Sequence, residues 1–180
     1  MNPVTGANTD FFMKDITTLI AGLHDPAISK RQAAARELGR SQNPSATGPL
    51  GIALADPHPK VRLECVQALG RLGEPEASPF LIRALGDAEP EVRAAAIAAV
   101  GRTRDHRAVN TLISCLKDTD EQVRIGAAEV LGKLGDLRAI EPLGALAQDP
   151  FSDVREAAEV AVRRIRKKKI LPGSPPFGNI

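Results

Sequence analysis

Three histidines, two cysteines and a recurring aspartate and arginine are the side chains of this 180-residue sequence with the most chemistry to offer. His24, His58 and His106 stand far apart and at three unrelated places in the pattern described below, so they do not gather into one site. No Ser-His-Asp or Cys-His arrangement can be argued from the spacing. Cys65 and Cys115 fall far short of a disulfide framework, which makes a reducing, cytoplasmic compartment the simplest expectation. No catalytic, cofactor-binding or metal-binding residue is assigned, and none of these cofactors is expected. What does recur is Asp25 with Arg31, Asp56 with Arg62, Asp87 with Arg93, Asp118 with Arg124 and Asp149 with Arg155, each pair six residues apart.

The elements that carry these pairs follow from the period. DTDEQVRIGAAEVLG from Asp118 repeats in steps of 31 residues as DAEPEVRAAAIAAVG, DPHPKVRLECVQALG and DPAISKRQAAARELG toward the N-terminus, and as DPFSDVREAAEVAVR after it. A fixed period in this range marks a solenoid. Each unit holds two apolar segments at helical spacing. The first, helix A, bears Leu19 and Leu23, Leu50 and Leu54, Leu81 and Leu85, Leu112 and Leu116, then Leu143 and Ala147. Residues four apart share one helix face. The second, helix B, bears Val61, Cys65 and Leu69, Val92, Ala96 and Val100, Val123, Ala127 and Leu131, and Val154, Ala158 and Val162. The expected fold is all-α, an α-α superhelix of five helix pairs and ten helices, with repeats at 15–40, 45–71, 76–102, 107–133 and 138–166. Residues 1–14 read as an N-terminal arm, and 167–180 as a basic, then Pro/Gly-rich tail.

Composition agrees with stacked helices. The chain is 43% hydrophobic but only 3% aromatic, without Trp or Tyr, so its core is built from Ala, Leu, Val and Ile. Both cysteines match small or apolar residues in the other copies, which points to buried thiols. Net charge is +2, unevenly spread: RRIRKKK at 163–169 holds six of the 24 basic residues, and the other 18 face 22 acidic ones. No apolar run is long enough to span a bilayer, and the N-terminus lacks a secretory signal.

Helix ends are marked by the periodic Asp, which can accept backbone N–H groups, and by Pro26, Pro57, Pro59, Pro90 and Pro150 at turns or first helical positions. Gly39, Gly70, Gly101 and Gly132 stand where helix B is expected to stop, as C′ glycines, followed by Arg40, Arg71, Arg102 and Lys133 at the negative end of the helix dipole. In the fifth copy Arg163 replaces the glycine, so the last helix is expected to run on into RRIRKKK.

The helix pair with Asp in its turn and V-R-x-x-A-x-x-x-L-G in its second helix resembles the short HEAT repeats, also called phycobilisome-lyase HEAT-like repeats, over about residues 15 to 166. Tetratricopeptide aromatics and the ankyrin T-P-L-H signature are absent. The resemblance implies an armadillo-type superhelix serving as a protein-binding scaffold. It also implies that the Asp and Arg positions form a structural ladder between neighbouring units. An Arg fork can satisfy a carboxylate and turn carbonyls at once. No histidine is followed by Glu, so the His-Glu pairs that hold iron in the HEAT-like hydroxylase of the hypusine pathway are missing.

Such folds bind with the face lined by the second helices. Outside the buried stripe that face carries Lys60, Leu63, Glu64 and Gln67, Glu91, Ala94, Ala95 and Ala98, and Gln122, Ile125, Gly126 and Glu129, an apolar middle with an acidic rim. The expected function is a non-catalytic adaptor for another protein, as a possible subunit of a larger complex. The basic end, Arg163, Arg164, Arg166, Lys167, Lys168 and Lys169, is a second attachment point. Two alternatives stand: a bilin lyase-like or chaperone-type accessory subunit, and attachment to nucleic acid or an anionic membrane through residues 163–180. The rest of the chain, net negative and without Tyr or Trp for stacking, does not favour nucleic acid.

Overall fold

The computed structural model describes residues 15–169, so the arm at 1–14 and the end of the tail at 170–180 lie outside the described residues. The described chain is helical throughout and falls into two compact units, residues up to Ala77 and residues from Ser78 onward.

The first unit contains α1 (Ile16–Gly22), α2 (Ile28–Arg40), α3 (Thr47–Ala53) and α4 (Pro59–Leu72). The second contains α5 (Ser78–Ala84), α6 (Pro90–Thr103), α7 (Val109–Cys115), α8 (Glu121–Leu134), α9 (Ile140–Ala145) and α10 (Ser152–Lys169). Odd-numbered helices are the short A helices and even-numbered ones the longer B helices. In each unit every B helix packs on its own A helix, and α2 packs on α4, α6 on α8, and α8 on α10. The helix A leucines are buried as their spacing requires, from Leu19 to Leu143, but Ala147 is exposed. There α9 gives way to a 3-10 turn, Leu146–Gln148, that turns Leu146 inward instead.

The B helices bury more than one stripe. Besides Val61, Cys65 and Leu69 and their counterparts, Val66, Ala68, Ile97, Ala99, Ala128 and Val130 are enclosed, because a B helix meets its own A helix and a neighbouring B helix on different sides. Val162 is only half-buried, and the last turn of contact comes from Ala161 and Ile165.

The glycines do not end the helices. Gly39 and Gly132 lie inside α2 and α8, with Gly70 and Gly101 at the same place in α4 and α6. The actual C-caps are Ser41, Gly73, Arg104 and Gly135, the last three in the left-handed conformation. The reason for the inner glycines is close approach. A Cβ on Gly39 would stand 2.6 Å from the Ala68 Cα, and one on Gly132 2.9 Å from the Ala161 Cα. The neighbouring B helix therefore passes backbone to backbone at these points.

The A–B turns close as the Asp positions predict. Asp25, Asp56, Asp87, Asp118 and Asp149 each accept the amide of the residue two further on, at 2.8 to 3.1 Å. A second series at the B–A connections was hidden in the sequence. Asn43, Asp105 and Asp136 cap 3-10 turns in the same way, and Ala46, Ala77, Ala108 and Ala139 in these turns are fully buried. These alanines also recur every 31 residues, which was the signal available to find them.

Candidate partner-binding surface

Arg31, Arg93 and Arg124, each at the start of a B helix, are held from two sides. Arg124 donates Nη1 to the carbonyls of Asp118 and Thr119 in its own turn, and Nε and Nη2 to the two carboxylate oxygens of Asp149 at 2.8 and 3.0 Å. Arg31 does the same to Asp56, and Arg93 to Asp118. These forks are largely enclosed: the Arg124 and Asp149 side chains are 9% and 6% exposed. Phe151 lies against the Arg124 guanidinium, 5.6 Å from its carbon to the ring centre. Arg155 makes the same carbonyl contacts, with Asp149 and Pro150, on the exposed face of the last helix.

Charge follows from this geometry. Arg124 holds the Asp149 carboxyl below its ordinary value. Burial alone would raise Asp56 and Asp118, yet the hydrogen bonds from Arg31 and Arg93 and from the turn amides leave both lowered. At the B–A connections Arg138 brings Asp136 to about 2. Burial pushes the Cys65 thiol up to about 12 and Cys115 to about 11, so neither is a thiolate nucleophile at neutral pH. His58 is engaged at a helix start, where its Nδ1 accepts the Lys60 amide. Among the described residues no group of three or more His, Cys, Asp or Glu converges on one point.

The outward side of the B helices is where the copies differ. In the first unit Leu63, Glu64 and Gln67 are half-buried and Lys60 is exposed. Glu64 accepts two hydrogen bonds from Arg36 of α2, the shorter 2.5 Å, and Gln67 accepts one from Arg71. In the second unit Ala94, Ala95, Ile125 and Gly126 are half-buried, while Glu91, Ala98, Gln122 and Glu129 are exposed. Gln122, Ile125 and Glu129 form one wall of a groove of about 500 Å³ between α8 and α10. The other wall is Asp153, Glu156, Ala157, Val160 and Arg164, residues that a reading confined to the earlier copies passes over. The signal was Val160, an apolar residue where the earlier copies carry Gln67, Ala98 and Glu129.

The basic end is partly tied down. α10 does run on to Lys169, Ile165 is fully buried, and Lys168 donates Nζ to the Lys133 carbonyl at 2.5 Å, closing the end of α8. Arg163 pairs with Glu159 at 2.9 Å one turn earlier. Arg164, Arg166 and Lys167 are exposed. No described helix is long and apolar enough to cross a membrane.

A family model of HEAT repeats matches residues 16–89 and 78–163. Among solved structures, the complex of CpcE and CpcF of phycocyanin lyase from Nostoc sp. PCC7120 is similar with 26% identity and a TM-score of 0.74, covering 93% of this chain and 70% of that one. A designed armadillo repeat protein in complex with the peptide (KR)4 matches with 20% identity and a TM-score of 0.63, over 83% of this chain and 81% of that one. Designed armadillo repeat proteins for modular peptide recognition match at 20% identity and a TM-score of 0.62, over 86% of each chain. No curated protein matches significantly.

Proposed function

We propose, from the premise that this chain belongs to the HEAT-repeat family, that it is a non-catalytic adaptor that grips another protein on the outward side of its B helices. The observation that carries this reading is the contrast between copies. The residues that recur are consumed by the ladder, the caps and the close helix contacts, whereas in the second unit Ala98 and Val160 are exposed and Ile125 half-buried on the B helices, and in the first unit Leu63 is half-buried at the matching place. Exposed apolar surface of this kind, rimmed by Glu91, Glu129 and Glu156, suits a protein partner better than a small polar substrate. The basic stretch at the end of α10 serves as a second point of attachment.

Affinity purification of the full chain beside Leu63→Asp and Ile125→Asp variants tests the adaptor reading. Both positions are half-buried, so circular dichroism is measured alongside to establish that the variants fold. Loss of a partner from folded variants supports the reading, and unchanged recovery overturns it.

The likeness to a phycocyanin lyase complex supports a second reading, an accessory subunit that works with another chain in a bilin lyase-type assembly. That reading requires the chain or its complex to bind a bilin. Titration with phycocyanobilin, followed by absorbance, decides it: an unchanged spectrum removes it.

A further inference from the structure

The groove between α8 and α10 has a polarity that goes beyond a sticky surface. α8 and α10 run parallel, as three pairs of neighbours show: Arg124 with Asp149 at one end, Gly132 with Ala161 further along, and Lys133 with Lys168 at the other end. The floor is apolar, from Ile125, Ala157 and Val160, and Val160 is 42% exposed. Toward the helix N-termini the groove carries Asp153 and Glu156, and toward the C-termini Glu129, Lys133 and Arg164, where Glu129 pairs with Lys133 at 3.9 Å and Arg164 leaves that end net positive. From Gln122 to Lys133 the wall is about 17 Å long at 1.5 Å per residue, which is about three helical turns.

Resting on the adaptor reading above, we propose that this groove seats one amphipathic α-helix of a partner protein, antiparallel to α8 and α10. Its acidic first turn lies on Lys133 and Arg164, its apolar stripe on Ile125, Ala157 and Val160, and its basic last turn on Asp153 and Glu156. The charges at the two ends of the groove set the occupant. A helix with acidic residues first and basic residues last is stabilised by its own macrodipole. That helix meets complementary side chains only when antiparallel, and its dipole then also opposes those of α8 and α10. A parallel helix would need basic residues first and acidic ones last, against its own dipole.

The probe is a synthetic helix with Glu in its first turn, Leu at i, i+3, i+4 and i+7, and Lys in its last turn, labelled for fluorescence anisotropy with the full chain. Val160→Glu, which places in α10 the residue type that α8 carries at Glu129, is expected to weaken binding about tenfold or more, as is the pair Asp153→Lys with Glu156→Lys. All three positions are exposed, so an unchanged melting temperature accompanies the loss. A nitroxide on the peptide N-terminus is expected to broaden the amide signals of Lys133 and Arg164 and to spare those of Asp153 and Glu156.

Broadening at the Asp153 end, equal affinity for a charge-scrambled peptide of the same composition, or no binding at all overturns the proposal. So does self-association of the chain, seen by sedimentation, that Val160→Glu abolishes and the peptide does not displace, since the occupant is then a second copy. The two readings fail separately. A natural partner lost on Ile125→Asp but indifferent to the charge variants leaves the adaptor and removes the oriented helix. Polar peptide binding with natural partners retained by folded Leu63→Asp and Ile125→Asp removes the adaptor instead.

Discussion

At the scale of single residues, Asp and Arg do what a charged pair does best in a partly enclosed site, because the forks of Arg31, Arg93 and Arg124 are satisfied on both edges. Asp118→Asn keeps one acceptor oxygen but sets an amide NH2 against the other arm of the Arg93 fork, so one of Nε and Nη2 loses its acceptor while the carbonyl contacts persist. Asp118→Asn is therefore expected to cost on the order of 2–3 kcal/mol, somewhat less than breaking a fully buried pair. The sign of its pH dependence follows from the lowered folded-state value. Stability from Asp118 is fully present above its unfolded value of 3.8 and is lost as pH falls toward the lower folded value. Urea unfolding at pH 7 and at successively more acid pH checks this: the difference between native and variant should narrow below pH 3.8. The identity of the ladder residues was legible in the sequence, since a charge that recurs six residues from its opposite in every unit implies one contact repeated along the chain.

At the scale of helices, the sequence announced ten segments and their buried stripes, and these are the segments the chain forms. It misled at the glycines. A glycine near the end of an apolar stripe looks the same whether it sits at a left-handed cap or under a crossing backbone, and only the neighbour, Ala68 or Ala161, tells them apart. The difference is measurable. Gly132→Ala puts a methyl group against the Ala161 backbone and should destabilise by about 1–3 kcal/mol as overpacking does. Gly144→Ala, in α9 with nothing within 4 Å of the added carbon, should stabilise by about 0.5–1 kcal/mol through helix propensity. Opposite signs by thermal melting support this assignment, and equal signs refute it. The groove wall on α10 was less legible, because one large apolar Val160, whose counterparts are Gln67, Ala98 and Glu129, gains meaning only when Ile125 is placed across from it.

At the scale of the whole molecule, charge is divided between a net negative body and a basic last helix. If Arg166 and Lys167 with their neighbours form an attachment point, replacing Arg166, Lys167 and Lys169 with Gln should lower the salt needed to elute the chain from heparin. Replacing the helix-end cations Arg40 and Arg71 should lower it less. A chain shortened to test the tail has to keep residues through Lys169, because Ile165 belongs to the core and Lys168 closes α8. Retention unchanged by the Gln variant would reduce the basic end to a capping and solvation role. Fold and family were readable because repetition multiplies weak local signals. The partner was not, because the letters that choose it occur once each.

The arginine at position 163 bears on where the repeated helix contact stops. A helix laid against α10 as α10 lies against α8 would meet Arg163, paired with Glu159, where Gly132 gives room for Ala161. The contact that joins α8 to α10 is therefore copied onto the far side of α10 only if the Arg163 side chain swings aside and gives up Glu159, so the close backbone approach that repeats along the chain ends in a gate made of one flexible side chain.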